Sequence, residues 1–270
     1  MHRSIVLWII AFVVSIASAV YQRVTGPTYP VKGTTTLDGQ TIPFTFKRSH
    51  GDRESTTVEL TTTSASIHGS LEWRRYGSDN PWRRVPLVFV DGRLTADVPS
   101  QPPAGKVEYR VYLSSPSGTV IVPSQDPVVL RFKGDVPSAI LLFHIIGMFG
   151  GMVVSTRGGL EYLAAAPRLR GYIYCTIALF LVGGLIFGPL VQKYAFGSYW
   201  TGWPVGHDLT DNKTALAFLL WVVAAIMLRR SRRPALWVLA AAFVTFIVFM
   251  IPHSLLGSEL KYSATGVPLN

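Results

Sequence analysis

The sequence predicts a membrane all-α bundle of about five transmembrane helices with an inserted extracytoplasmic all-β sandwich. Apolar residues make up 49% of the 270-residue chain and gather in five blocks. Residues 28 to 133 show instead the period-two alternation of half-buried strands, broken by turn residues. The net charge of +10 falls largely on arginines between the apolar blocks, where membrane topology places positive charge.

The first block, Ile5 to Val20, follows His2 and Arg3, which fits an N-terminus on the inner side. Its basic start and Ala17-Ser-Ala19 also describe a cleavable signal peptide; the reading adopted is a retained anchor over residues 1–21. Gly26-Pro-Thr-Tyr-Pro30 then reads as a stiff, extended linker.

Residues 22–135 form the outer domain. Val107, Tyr109, Val111 and Leu113 share one face of a strand, with Glu108, Arg110 and Tyr112 on the other. Val58 with Leu60, and Leu71 with Trp73, repeat the alternation. Turns are signalled at Leu37-Asp-Gly39, Gly77-Ser-Asp-Asn-Pro81, Asp91-Gly92, Pro102-Pro-Ala-Gly105 and Ser115-Pro-Ser-Gly118, the spacing of a small antiparallel sandwich. The segment from Leu94 through Pro102-Pro-Ala-Gly105 to Gly118 resembles bacterial immunoglobulin-like or fibronectin type III-like domains. Such domains serve as adhesion modules, spacers or docking surfaces, so the resemblance implies fold rather than chemistry. Trp73, Arg74, Arg75, Tyr76, Trp82, Arg83 and Arg84 cluster around one turn. They either dock a partner protein or acidic headgroups, or are arginines stacked on tryptophans within a hairpin. His50 and His68 have no partner at metal-ligand spacing.

The remaining blocks, Val136 to Val154, Tyr172 to Val191, Thr214 to Leu228 and Ala235 to Ile251, form a four-helix core over residues 136–255. Arg157, Arg168 and Arg170 separate the first two, and Arg229, Arg230, Arg232 and Arg233 the last two; both loops are assigned to the cytoplasm. Topology thus accounts for the high pI, and nucleic acid is not an expected partner. The outer domain, the loop 192–213 and the tail 256–270 then lie outside, on the periplasmic side of a bacterial inner membrane. Cys175, the one cysteine, lies within an apolar block, which excludes an intramolecular disulfide and a cysteine metal cluster. Gly147 with Gly151, and Gly184 with Gly188, have the small-xxx-small spacing of close helix contact. The second and third spans are expected to be neighbours, and the fourth and fifth to form a second hairpin.

The loop is too rich for a connector: Tyr199, Trp200, Trp203, His207, Asp208 and Asp211 lie between the third and fourth spans. His144 in the second span, His253 after the fifth and His207 in the loop all belong to the outer leaflet by this topology. Each has a plain alternative: His144 bonding a backbone carbonyl, His253 marking the membrane boundary, His207 solvated. Two imidazoles from different spans at similar depth, with aromatics above, are what a haem held between histidines requires. Asp211 and Asn212 precede an apolar helix and are expected to cap it. Asp208 beside His207 lacks a nucleophile or metal set, and no phosphate loop, serine elbow or zinc motif is present, so catalysis is not expected.

Leu142-Phe-His144-Ile-Ile-Gly, Phe187-Gly-Pro-Leu-Val-Gln-Lys-Tyr-Ala-Phe-Gly-Ser-Tyr-Trp200, Thr214 to Trp221 and Phe249-Met-Ile-Pro-His253-Ser together resemble the haem-handling core of cytochrome c assembly membrane proteins. The resemblance covers residues 138–255. It implies that His144 and His253 flank haem iron and that Tyr199, Trp200 and Trp203, with His207, form the aromatic wall. The expected function is a haem-associated or cytochrome assembly-type membrane factor with a periplasmic docking domain. The alternative is a non-catalytic accessory or scaffold subunit of a larger respiratory or electron-transfer complex. The expected partners are the lipid bilayer and other membrane or periplasmic subunits.

Overall fold

The computed structural model describes residues 2–51, 54–164, 167–253, 255, 257, 259–262 and 268–269. The chain divides into a helical unit, residues 1–27 with 136–258, and a β unit, residues 28–135 with 259–270.

The helical unit contains α1 (His2–Thr25), α2 (Ser138–Leu160), α3 (Leu169–Phe180), α4 (Gly188–Phe196), α5 (Leu209–Arg230) and α6 (Pro234–Met250). Between α3 and α4 runs a π-helical segment, Leu181–Phe187, so the third span is one stretch of 28 residues. Four stretches are long and apolar enough to cross a membrane: His2–Thr25, Ser138–Leu163, Leu169–Phe196 and Leu209–Arg230. The fifth expected span, α6, is equally apolar but has only 17 residues, about 25 Å at the ordinary helical rise. Pro234 opens it at a position that needs no amide, and Pro252 lies two residues past its end. Phe180, Trp221, Ile173 and Val238 fill its core. Large apolar chains also cover the outside: Ile9, Phe143, Leu219 and Phe243 are each more than half exposed. A helical unit apolar on both its inner and outer surfaces suits lipid rather than water.

Glycine brings the second and third spans together, as their spacing predicts. A Cβ on Gly147 would lie 2.5 Å from the Cα of Gly183, and one on Gly151 would meet the Phe180 ring at the same distance. The α5–α6 pair is joined by Trp221, whose Nε1 donates to Thr245 Oγ1 at 3.1 Å. Arg157 departs from the expected loop position. It lies within α2, 3% exposed, with its guanidinium 2.5 Å from Glu161 and stacked over Tyr172 and Trp8. A carboxylate one turn on, at 6% exposure, neutralises it, so it is not one of the free charges of that loop.

The β unit has two large sheets and a two-stranded one. The first comprises β1 (Val31–Leu37), β2 (Gln40–Phe46), β4 (Thr56–Thr61), β7 (Val88–Val90) and β8 (Arg93–Val98), in the order β1-β2-β4-β8-β7. The second comprises β3 (Ser49–His50), β5 (His68–Arg75), β6 (Arg83–Pro86), β9 (Lys106–Ser115), β10 (Gly118–Val122) and β11 (Val128–Phe132), in the order β3-β11-β9-β5-β6 with β10 beside β9. All pairings are antiparallel except β3 with β11. One core draws on both sheets: Val107, Tyr109, Val111 and Leu113 of β9 are at most 1% exposed and pack with Leu60, Leu94 and Phe46. The alternation read from β9 is therefore its burial pattern. Asp38-Gly39 and Asp91-Gly92 turn the β1–β2 and β7–β8 hairpins with positive φ at both residues, the geometry that matches strand twist.

The basic aromatic cluster is a ladder across β5, β6 and β9. Arg74 and Arg110 stack over Trp82, Arg83 over Trp73, and Arg84 over Tyr112. Glu72 accepts from Arg84 and Arg110, and Glu108 from Arg74. These guanidiniums are engaged within the sheet. The chain end also returns to this unit. Leu260 N–H donates to the Ala104 carbonyl, Glu259 pairs with Lys106 at 2.8 Å, and Arg75 lies over Tyr262. A short pairing of β12 (Lys261–Tyr262) with β13 (Pro268–Leu269) follows. Residues 256, 258, 263–267 and 270 of the expected tail lie outside the described residues.

Candidate functional site

The site is built where α6 ends. Its last carbonyls have no helical partner, and two side chains from other helices satisfy them. Gln22 of α1 donates to Phe249 O at 2.7 Å and Ile251 O at 2.9 Å. Lys213 of α5 donates to Ile251 O at 2.6 Å and is only 6% exposed. An ammonium at a helix C-terminus faces the negative end of the dipole.

The loop is shorter than its sequence suggests. Helix α4 continues to Phe196 and is closed by Gly197 with φ +89°, while α5 begins at Leu209, leaving 197–208 as the connection. The expected cap is also corrected. Asp208 is the N-cap of α5, accepting from Thr210 N–H at 2.8 Å. Asp211 reaches back to the loop instead, accepting from Thr201 N–H at 2.7 Å and Gly202 N–H at 3.0 Å, and Asn212 accepts from Trp203 N–H at 2.6 Å. The physical reason is that loop amides have no ladder to join, and a carboxylate in a first helical turn also gains from the dipole. Gly202 permits this approach, since a Cβ there would lie 2.6 Å from the Asp211 Cβ. Gln192 donates to Thr201 Oγ1 at 2.6 Å, which ties α4 into the same network. Asp208, Asp211 and Lys213 are all buried.

His144 is half-buried on α2, with its Nδ1 2.8 Å from the Gly183 carbonyl oxygen. Gly183 belongs to the π-helical segment. Pro189, six residues on, lacks the amide that would bond the Leu185 carbonyl, and a proline in a helix loosens the preceding turn. A Cβ on Gly188 would meet the imidazole at 3.8 Å, an ordinary contact distance. With Nδ1–H donating to a carbonyl, Nε2 carries the lone pair, the state in which histidine binds metals.

His253 lies three residues past the end of α6, two residues beyond the Ile251 carbonyl that Lys213 bonds. His253 is exposed at the surface there. Trp200 is half-buried and donates Nε1–H to the Trp203 carbonyl at 3.1 Å. Tyr199, Trp203 and His207 are exposed, Trp203 at 76%, and Lys193 lies over the Tyr199 ring. Of these rings, Trp200 is anchored by a loop carbonyl and Tyr199 lies against Lys193 of α4.

Sequence reasoning missed Lys213, Gln192 and Gln22. The available signal was a polar residue at the end of each of three apolar blocks, where a neighbouring helix end needs a donor. Among the described residues no three His, Cys, Asp or Glu side chains converge. No protein-family model matches the chain, and no curated protein matches it in sequence.

Proposed function

We propose that the protein is a haem-associated or cytochrome assembly-type factor of the bacterial inner membrane, in which His144 and His253 would hold the haem iron. The observation behind this reading is the Nδ1 contact of His144 with Gly183 O: it is the backbone bond that a histidine without a cofactor would also make, and it leaves the lone pair on Nε2, where a metal would bind. Trp200, Trp203 and Tyr199 would supply the aromatic wall of the haem site, with His207 at its rim. In this reading the N-terminus and the exposed arginines at 168, 170, 229, 230, 232 and 233 face the cytoplasm, and the β unit is a periplasmic immunoglobulin-like docking domain. The test is an absorption spectrum of the detergent-purified protein, with pyridine haemochrome analysis. A Soret band that falls in His144→Ala and His253→Ala supports the reading. No band, with none gained on adding haem, sinks it.

The second reading, a non-catalytic accessory or scaffold subunit of an electron-transfer complex, rests on β7. Val88, Phe89 and Val90 are all exposed on a sheet edge, and an apolar edge strand invites pairing with another chain. Stoichiometric partners in a gentle pull-down, lost on Phe89→Lys, would favour it. A monodisperse monomer without partners counts against it.

A further inference from the structure

The end of the bundle at the α3, α5 and α6 termini holds an open cavity of about 520 Å³. Arg168, Arg170 and Arg229 line it together with Tyr174, Leu228 and Pro234, and no carboxylate is among the lining residues. The nearest acid in the chain, Glu161, is already engaged with Arg157 and the Arg168 amide. Arg168 and Arg170 are exposed and flank the first residue of α3; Arg229 is exposed in the last turn of α5. The Arg170 guanidinium stands 5.9 Å from the Tyr174 ring centre. Both α3 and α6 begin here without a side-chain cap, so the positive ends of two helix dipoles add to the three guanidiniums.

We infer that this cavity binds the phosphodiester headgroup of an anionic phospholipid. Charge complementarity selects the ligand: three arginines line one cavity with no carboxylate in its wall, the neighbouring Glu161 being ion-paired with Arg157, and guanidinium forks match phosphate oxygens. Leu228 and Pro234 offer the apolar surface that a glycerol backbone and the first acyl carbons need. The ends of membrane-length helices lie at headgroup depth, and basic pockets between such helices select acidic lipids. The inference needs the helical unit to lie in a bilayer, and is independent of haem.

The experiment is native mass spectrometry of the full-length protein in mild detergent, with phosphatidylglycerol, phosphatidylcholine or inorganic phosphate added in turn. The wild type is expected to retain phosphatidylglycerol in preference to phosphatidylcholine. Arg168→Gln, Arg170→Gln and Arg229→Gln should each weaken retention about fivefold, and the triple variant should lose the preference. Arg230→Gln/Arg232→Gln, which removes charges outside the cavity, should keep it. The single variants keep the test decisive if the triple one does not fold. Equal retention of the two lipids, an equal loss in the control variant, or phosphate binding without lipid preference would each overturn the proposal.

Discussion

The Nδ1 of His144 on α2 lies 2.8 Å from the carbonyl oxygen of Gly183, and that carbonyl belongs to the π-helical segment of the neighbouring span. One bond therefore couples the tautomer of a membrane histidine to an irregularity in the next helix. Restoring an amide at position 189 is expected to re-form helical bonding around the segment and shift the Gly183 carbonyl. On the haem reading proposed above, Pro189→Ala is expected to lower haem occupancy while keeping His144, whereas His144→Ala would remove a proposed ligand. Haemochrome content of the two variants, measured at equal protein, checks this. Full occupancy in both would disconnect the π segment and the histidine from haem.

Gly147 and Gly183 let two backbones touch. Any side chain at either position must push α2 and the third span apart, and overpacking of this kind costs about 1–3 kcal/mol or more. Gly183→Ala and Gly147→Val are expected to lower the melting temperature in detergent. Gly150→Ala is the control, since a Cβ there would meet only Leu179 side-chain atoms at 3.7 Å and beyond. A melting temperature unchanged in Gly147→Val would show that the helices are less closely packed than this.

Spans and strands were legible because burial imposes a period: β9 alternates residue by residue, and the glycines of the second and third spans meet as their spacing predicts. What was hidden depends on partners distant in sequence. Nothing local marks Arg157 as buried, because Trp8 and Tyr172, which flank it, come from two other helices. Asp211 has the local signature of a cap, yet its amide partners are ten and nine residues back. At the candidate site, the histidines were visible as ionisable residues at apolar positions. Lys213 was not, because its partner, Ile251 O, exists only once α6 has ended.

Asp211 holds two loop amides, so its loss should be felt in the loop before the bundle. Asp211→Ala leaves Thr201 and Gly202 N–H without their acceptor, at about 1–3 kcal/mol for each group left buried and unpaired. Hydrogen exchange of the 197–208 segment is expected to accelerate while α2 and α3 stay protected. Unchanged exchange in that segment would remove Asp211 from its role as the loop anchor.

Glu72 makes the β unit pH-sensitive. Burial raises its pKa, but hydrogen bonds from Arg84, Arg110 and Tyr112 outweigh that effect and hold the carboxyl below the usual glutamate range. A group depressed on folding stabilises the fold above its unfolded pKa, about 4.3, and that stability is lost as pH falls through the folded value. The wild type should therefore melt at lower temperature at pH 3.5 than at pH 6, by tryptophan fluorescence. Glu72→Gln is expected to be less stable at pH 6, by about 1–2 kcal/mol, and to show a smaller change between the two pH values. An identical pH response in both proteins would rule out this carboxylate as a source.

Arg157 and Glu161 form a buried pair, 3% and 6% exposed, that anchors the end of α2. Removing one partner differs from removing both. Glu161→Gln leaves a guanidinium buried with only Trp8 and Tyr172 beside it, and breaking such a pair costs about 3–5 kcal/mol. Glu161 also accepts from the Arg168 amide at 3.0 Å, so the same change loosens the start of α3. Replacing both residues with apolar ones of similar volume removes the unpaired charge, and pairs of this kind are often exchanged at little net cost. Arg157→Met/Glu161→Leu should thus melt closer to wild type than Glu161→Gln alone, with the lost Arg168 bond accounting for the remaining difference. The comparison is a double-mutant cycle of melting temperatures in one detergent, with Arg157→Met and Glu161→Leu as its single variants and Glu161→Gln beside it. Additive losses would mean that the two side chains do not stabilise each other.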